Sequence, residues 1–559
     1  MLRNVAASLL LGLLGGGCSA SNPTPNTVAT AVHPAPVHAE AARKAPGELV
    51  VAVVIDQLPS FALERYAPLF DADSALRAAL TNGAYYEQGQ YDYAGTYTAP
   101  GHATLYTGVL PRSHGVAANE VWDAARSHVE SVVDDARHAV LGAPEQFASP
   151  LVLRAPTVAD ALESATGGRA LTVSLSLKDR AAVLPGGQKP DCALFYDAKH
   201  GVFTTSTFYA SELPPWLVRF QTEHPLASLL TEWQPSNPTA LERLLGPNTG
   251  AGAGDWLGMR ANFPHDPRRA TDPLTAVRIT PTATDYLFEL ARASVAALGL
   301  GQDEVPDLLM LSISPVDYAG HTFGPDSWEY ADSLVRTDRA LTRFLGELER
   351  TSRVRVLVTS DHGVAPLPER AHAAGHLAFR VTPKKVAQAV NAALAKRFGL
   401  ATPVVASYTE PFVYFSPEAK GSPAYADIVA AVAGELASTP GVGATFALRE
   451  LLAREPRSEL ELLVRASVPN EPVADLFVVP SEFSVVDPSL PGGAGTSHGS
   501  PWTYDRHVPI VFWGPGVTRH HATEPVSILR VAPTLAALLD LPATGPGAGK
   551  VLEGAPAVR

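Results

Sequence analysis

The chain has 559 residues, 46% hydrophobic and 18% charged, which suits one large α/β domain with insertions or two to three domains. A formal net charge of -13 excludes broad electrostatic attraction to a nucleic-acid polymer, because most of this surface would repel its phosphates. Cys18 and Cys192 are the only cysteines, so there is neither a disulfide framework nor a paired thiolate site for zinc.

Residues 1–17 read as an export signal: Arg3, an apolar stretch through Leu14 that is too short for a membrane span, then small residues. The small residues before Cys18 resemble a bacterial lipoprotein signal ending at residue 18, although Gly15 stands where such signals usually carry Leu. Lipidation of Cys18 and simple cleavage with secretion both stay open. Either sends the protein out of the cytoplasm, to the periplasm or to the outer membrane or cell surface. Residues 19–47 are rich in Pro, Ala, Thr and His with no periodic apolar face, and are expected to be a disordered tether.

The folded part opens with a hydrophobic run over 49–55 that leads into Asp56. A helix is expected over 98–108, with Thr98 as N-cap and Pro100 in the first turn. Helical patterns over 157–165, 283–298 and 327–348 alternate with strand-like runs over 171–175, 307–313 and 354–359. That alternation predicts an α/β fold with a mostly parallel central sheet flanked by helices. Residues 379–473 break the pattern with helices expected over 383–398, 425–439 and 446–453 and a strand over 411–415. They are expected to form a small α+β insertion or cap, leaving 48–378 and 474–559 as the catalytic body. The main sheet is expected to resume with 475–479 and 508–513, followed by a helix over 528–539. Glycine-rich 250–254 follows no strand and reads as a loop.

Three of the hydrophobic runs end in metal-ligand chemistry. The first reaches Asp56, the 307–313 run passes Ser314, Pro315 and Val316 to Asp317, and the 354–359 run passes Ser360 to Asp361 and His362. Runs without polar alternation suit strands buried on both faces, and in such sheets ligands gather at the carboxyl edge. Asp317 and His321 lie four apart, on one face of a helical turn. Alone, that pair reads more simply as a surface ion pair. Asp361, His362 and Asp56 turn it into a metal site, for which imidazole and carboxylate suit zinc best, with manganese, cobalt or iron as other occupants.

The strings VVIDQL, TYTAPGHATLYTG, HGVAANEVWD, SLKDR, SPVDYAGHTFGP, TSDHG and GTSHGS, in this order, resemble the alkaline phosphatase superfamily. They are most similar to its branch of Thr-nucleophile phosphatases and nucleotide pyrophosphatase/phosphodiesterases, and the resemblance spans 49–541. It implies that fold and two Zn²⁺ ions. One would be held by Asp317, His321 and His498, the other by Asp56, Asp361 and His362 with Thr98. Thr98 is then the nucleophile, since a metal favours its alkoxide, and a helix start adds exposed backbone N–H groups that welcome a phosphoryl group. Asn119 would donate to a phosphoryl oxygen.

Lys178 and Arg180 resemble the cation pair of the monoesterases. A monoester presents a third free oxygen that a diester lacks, so extra cations aimed there select for it. His102 is expected to orient the nucleophile loop, His372 and His376 to make no direct metal contact, and His507 to make a structural hydrogen bond. Cys192 should be a small buried side chain, and Trp216 with the aromatics of 203–209 either walls a cleft or packs. The leading expectation is an exported phosphomonoesterase working through phosphothreonine on phosphate esters. The alternative is a nucleotide pyrophosphatase/phosphodiesterase with the same zinc pair. A sulfatase would need a modified Cys or Ser that Thr98-Ala99-Pro100-Gly101-His102 lacks, and a non-catalytic binding lipoprotein would leave the full ligand set unexplained.

Overall fold

Leu49, Val51, Val53 and Ile55 enter one hydrophobic cluster while Val50, Ala52 and Val54 enter another, so the strand Glu48–Ile55 is buried on both faces. Apolar side chains are needed on either side, which is why its sequence shows no polar alternation. The computed structural model describes residues 47–394, 396–486, 495–541 and 550–556. The export signal, Cys18 and all of the expected tether but Gly47 lie outside the described residues.

Glu48–Ile55 sits in a ten-stranded sheet. Neighbours run in the order His520–Ala522, Ala84–Gln90, His507–Trp513, Arg353–Thr359, Glu48–Ile55, Asp307–Ile313, Thr172–Ser176, Cys192–Asp197 and Val202–Thr204, with Val526–Ser527 also on Ala84–Gln90. The central strands are parallel; His507–Trp513 and Val202–Thr204 run antiparallel to their neighbours. Helices Pro281–Leu298 and Trp328–Leu348 cover one face, and Thr98–Thr107, Val158–Thr166 and Val531–Leu538 the other. Two of these starts are chemically marked: Thr157 and Asp160 form a reciprocal capping box, and Ser327 Oγ accepts from the Tyr330 N–H at 3.1 Å.

A second sheet spans the expected cap and runs past residue 473. Val405–Thr409, Phe412–Phe415, Leu476–Pro480 and Val442–Ala447 form four antiparallel strands, packed against helices Pro383–Leu394 and Tyr425–Ala437. This corrects the expectation that 475–479 returns to the main sheet. Leu476 and Val478 enter one cluster and Phe477 and Val479 another, so this strand too is buried on both faces and looks the same from sequence wherever it pairs. The helix expected over 446–453 is only Leu448–Leu452, because Phe446 and Ala447 belong to strand Val442–Ala447. Strand Ala84–Gln90 was not anticipated. Thr98 is the first helical residue rather than the N-cap, a place held by extended Tyr97. Residues 250–254 lie outside any helix or strand, as expected.

Candidate active site

Four adjacent parallel strands end at one level, with Val54 opposite Thr359 and Ile55 opposite Ile313. The residues that leave them therefore converge: Asp361 and His362, then Asp56, then Asp317, then Lys178. Helix Pro315–Phe323 presents Asp317 and His321 one turn apart, and a loop after the second sheet returns His498. Two trios result. Asp56, Asp361 and His362, all buried, form the deep one; Asp317, His321 and His498 form the shallow one. Within each, one ligand atom per residue lies within 4.8 Å of the others. The rings of His362 and His498 stack at 3.5 Å, so the trios adjoin.

Helix Thr98–Thr107 is buried along its length and lies against the deep trio. Gly101 permits this: a Cβ there would stand 2.2 Å from the Asp361 carbonyl oxygen. Thr98 Oγ1 lies 3.3 Å from His362 Nε2 and accepts from Lys178 Nζ at 3.4 Å. His102, one turn on, contacts the Thr98 carbonyl through Nδ1 at 2.9 Å and Ser312 Oγ through Nε2 at 3.0 Å, the orienting part expected of it.

The helix start offers fewer free donors than its sequence suggests. The Ala99 N–H donates to Asn119 Oδ1 at 2.8 Å, Pro100 has no N–H, and the Gly101 N–H donates to Tyr97 O at 2.9 Å. Anchoring Asn119 by its carbonyl leaves its amide NH₂ as the donor available beside Thr98. Lys178 reaches further than expected. Its ammonium pairs with Asp56 Oδ2 and Asp317 Oδ2, each at 2.6 Å, so one cation bridges both trios. Arg180 lines the cleft above, and its buried Nε has no hydrogen-bond partner.

The electrostatics follow from three buried carboxylates in one place. Burial, reinforced by Asp317 and Asp361, pushes the Asp56 carboxyl well above its ordinary range. Burial acts on Asp317 and Asp361 too, but their neighbours outweigh it and hold both low: chiefly the Lys178 ammonium and the His321 ring for the first, the His362 and His102 rings for the second. Lys178 is held above its ordinary value by Asp317 and Asp56 against the opposing effect of burial. Burial pushes His362 and His498 down, so both imidazoles are neutral at pH 7.

These residues fit metal ions. His321, His362 and His498 each turn Nδ1 to a backbone carbonyl, of Thr496, Gly363 and Thr96 respectively, at 2.7–2.9 Å. A carbonyl only accepts, so Nδ1 carries the proton and Nε2 keeps its lone pair for a ligand. Asp56 Oδ1 is buried without a hydrogen-bond partner. His321 Nε2 stands 3.2 Å from Asp317 Oδ1, and His362 Nε2 stands 3.4 Å from Asp361 Oδ2 and 3.5 Å from Asp56 Oδ1. Tetrahedral bonds of about 2.0–2.1 Å separate neighbouring ligand atoms by roughly 3.3 Å.

Above the trios opens a cleft of about 700 Å³, bounded by Tyr97, Asn119, Arg180, His321 and His498 and roofed by Lys384, Gln388 and Tyr408 of the second sheet and its helix. Of the residues placed in the site from sequence, none strays from it. Sequence reasoning missed Gln57, whose amide lies between the trios, and the cap residues of the cleft. The first stands directly after Asp56; the second carry no motif. His376 packs against Phe483 at 4.1 Å, His507 Nδ1 meets Gln88 Oε1 at 3.1 Å, and Cys192 is buried. Trp216 and Phe203 pack on the core, so they do not wall this cleft.

The sequence profile of the type I phosphodiesterase / nucleotide pyrophosphatase family matches residues 50–439. Alkaline phosphatase PafA of Elizabethkingia meningoseptica is 27% identical over 529 residues, covering 90% of this chain and 93% of that protein. A protein named calcium-transporting ATPase from Myroides odoratus is 29% identical over 514 residues, covering 88% and 92%. The crystal structure of wild-type PafA superposes with a TM-score of 0.83 over 91% of this chain and 98% of that one, at 27% identity. The PafA T-, N-, K- and R-substituted mutant gives 0.81 over the same share, at 26% identity. The chain therefore belongs to the type I phosphodiesterase / nucleotide pyrophosphatase family, on the PafA-like branch of the alkaline phosphatase superfamily.

Proposed function

We propose that this protein is an exported two-zinc phosphomonoesterase that turns over through a phosphothreonine at Thr98. The observation that carries the reading is Lys178: a buried ammonium within 3.4 Å of Thr98 Oγ1 that also spans the two trios. The similarity to named alkaline phosphatases supports it. So does the PafA mutant, altered at one threonine, one asparagine, one lysine and one arginine, the residue types of Thr98, Asn119, Lys178 and Arg180.

Zinc, when bound, supplies positive charge that favours a threonine alkoxide and stabilises a departing oxygen. The trios would hold it through Asp56, Asp361 and His362 and through Asp317, His321 and His498. Thr98 Oγ forms the bond to phosphorus as the bond to the ester oxygen breaks, so the alcohol leaves and the enzyme keeps the phosphoryl group. Water then cleaves phosphothreonine, releasing inorganic phosphate and restoring the hydroxyl. Asn119 donates to one phosphoryl oxygen. Lys178 and Arg180 address the oxygen that only a monoester leaves bare, and the open cleft takes the leaving group.

The family profile favours a second reading, a phosphodiesterase using the same trios. Zinc-replete protein assayed side by side on a nitrophenyl monoester and diester decides between them. A higher kcat/KM on the monoester supports the first reading; a higher value on the diester overturns it. Export with lipidation at Cys18 rests on the leader alone. Its test is incorporation of labelled palmitate, which Cys18→Ser should abolish; equal labelling of that variant refutes it.

A further inference from the structure

Gln57 is fully buried, and its backbone takes φ 64°, the left-handed region that glycine occupies freely and a glutamine does not. Strain of this kind persists where surrounding structure holds it in place, and here it does. Tyr330 OH donates to the Gln57 carbonyl at 2.8 Å, and the Gln57 N–H donates to Asp361 Oδ1 of the deep trio at 3.2 Å. The side chain reaches the other way, its Nε2 donating to Asp317 Oδ1 of the shallow trio at 2.8 Å. Asp317 Oδ1 is also the oxygen that faces His321 Nε2.

Space for this amide is reserved. A Cβ on Gly320 would stand 1.8 Å from Gln57 Oε1. Oε1 itself has no hydrogen-bond partner, so the amide is oriented for its NH₂ rather than for its carbonyl. A glycine would suit the backbone better, and an alanine at 320 would suit helix Pro315–Phe323 better. The pair Gln57 and Gly320 forgoes both, and what it gains is one hydrogen bond to a carboxylate.

We propose that Gln57 is a positioning residue that ties the two trios together: its main chain fixes Asp361, and its amide fixes the ligating oxygen of Asp317. Losing the amide frees Asp317 to rotate about its Cβ–Cγ bond, held then by Lys178 at Oδ2 alone. The shallow ion loosens and the deep one stays. The inference rests on the two-metal reading proposed for this site.

The test is zinc titration against a competing chelator, on wild type, Gln57→Gly and Gly320→Ala, with His321→Ala marking the step that belongs to the shallow trio. Gln57→Gly keeps the left-handed backbone accessible, so its effect reports the amide; Gln57→Asn, one methylene too short, should match it. The expected result is about 10–100-fold weaker binding of the shallow ion with the deep ion unchanged. Gly320→Ala, which evicts the amide, should loosen the same ion. Once Gln57 is glycine, Gly320→Ala should add little, so the double-mutant cycle is non-additive. Unchanged affinity, equal loosening of both ions, or additive losses overturn the proposal. Wild-type protein that takes up no zinc sinks the two-metal reading itself; two ions in wild type with an indifferent Gln57→Gly sinks the bridging role alone.

Discussion

The two trios use the same chemistry at different depths. Asp56, Asp361 and His362 are each 0% exposed beneath helix Thr98–Thr107, whereas the His321 side chain keeps 18% of its surface and lines the cleft with His498. Depth sorts their surroundings: the deep trio faces Thr98, and the shallow one borders the open cleft. It also sorts what losing each histidine leaves behind: a hole sealed in protein at His362, and a space that water can fill at His321.

The largest expected effect tests what the deep trio is for. Thr98→Ala should lower monoester kcat/KM by more than about 10³-fold while zinc content stays at the wild-type level. Retained turnover would detach the threonine from the chemistry. Next come substitutions that set the trios against each other. His362→Ala leaves a hole in fully buried structure beneath helix Thr98–Thr107 and removes the ring's bond to the Gly363 carbonyl, and should cost about 2–4 kcal/mol of stability by denaturant unfolding. His321→Ala, at the solvent side where water can fill the space, should cost under about 1 kcal/mol. Equal losses would erase the distinction of depth.

Smaller still is the effect of the cations over the cleft. Lys178→Ala and Arg180→Ala should each lower monoester kcat/KM by about 10²–10³-fold, with diester kcat/KM falling several-fold less. Lys178 has a second duty, neutralising Asp56 and Asp317, so its variant should also shift zinc affinity where that of Arg180 does not. Matching losses on both esters would mean that these groups serve the trios rather than the third oxygen.

Much of this edge was legible in the sequence because a strand buried on both faces announces itself, and the residues just past its end must lie at the sheet's rim. Asp56, Asp317, Asp361 and His362 come from that rule; His498, Asn119, Lys178 and Arg180 needed the ordered motifs. The same rule misplaced Leu476–Pro480, because double burial marks a strand without naming its sheet. Ala84–Gln90 escaped notice since Glu87, Gln88 and Gly89 interrupt its apolar run. Gln57 was missed because its role depends on a left-handed backbone and on room at Gly320, neither of which a residue pattern encodes.

Acid provides the mildest comparison, once loss of ligands is separated from loss of the fold. The site imidazoles turn Nδ1 to a carbonyl, but His114, against helix Thr98–Thr107, does the reverse: Nδ1 accepts from the Val116 N–H at 3.2 Å and Nε2 meets Thr104 Oγ1 at 3.0 Å. Burial pushes its pKa down from 6.5 to about 3. The unfolded chain therefore takes up a proton below pH 6.5 that the folded one refuses until about pH 3, and stability from this group, complete above 6.5, falls as pH drops through that window. The slope is about 1.4 kcal/mol per pH unit, so roughly that much is lost by about pH 5.5. His114→Gln should flatten this slope in unfolding experiments on the zinc-loaded protein while leaving the acid limb of the activity profile in place. If both flatten together, acid inactivation begins in the fold beneath Thr98 and not at the trios.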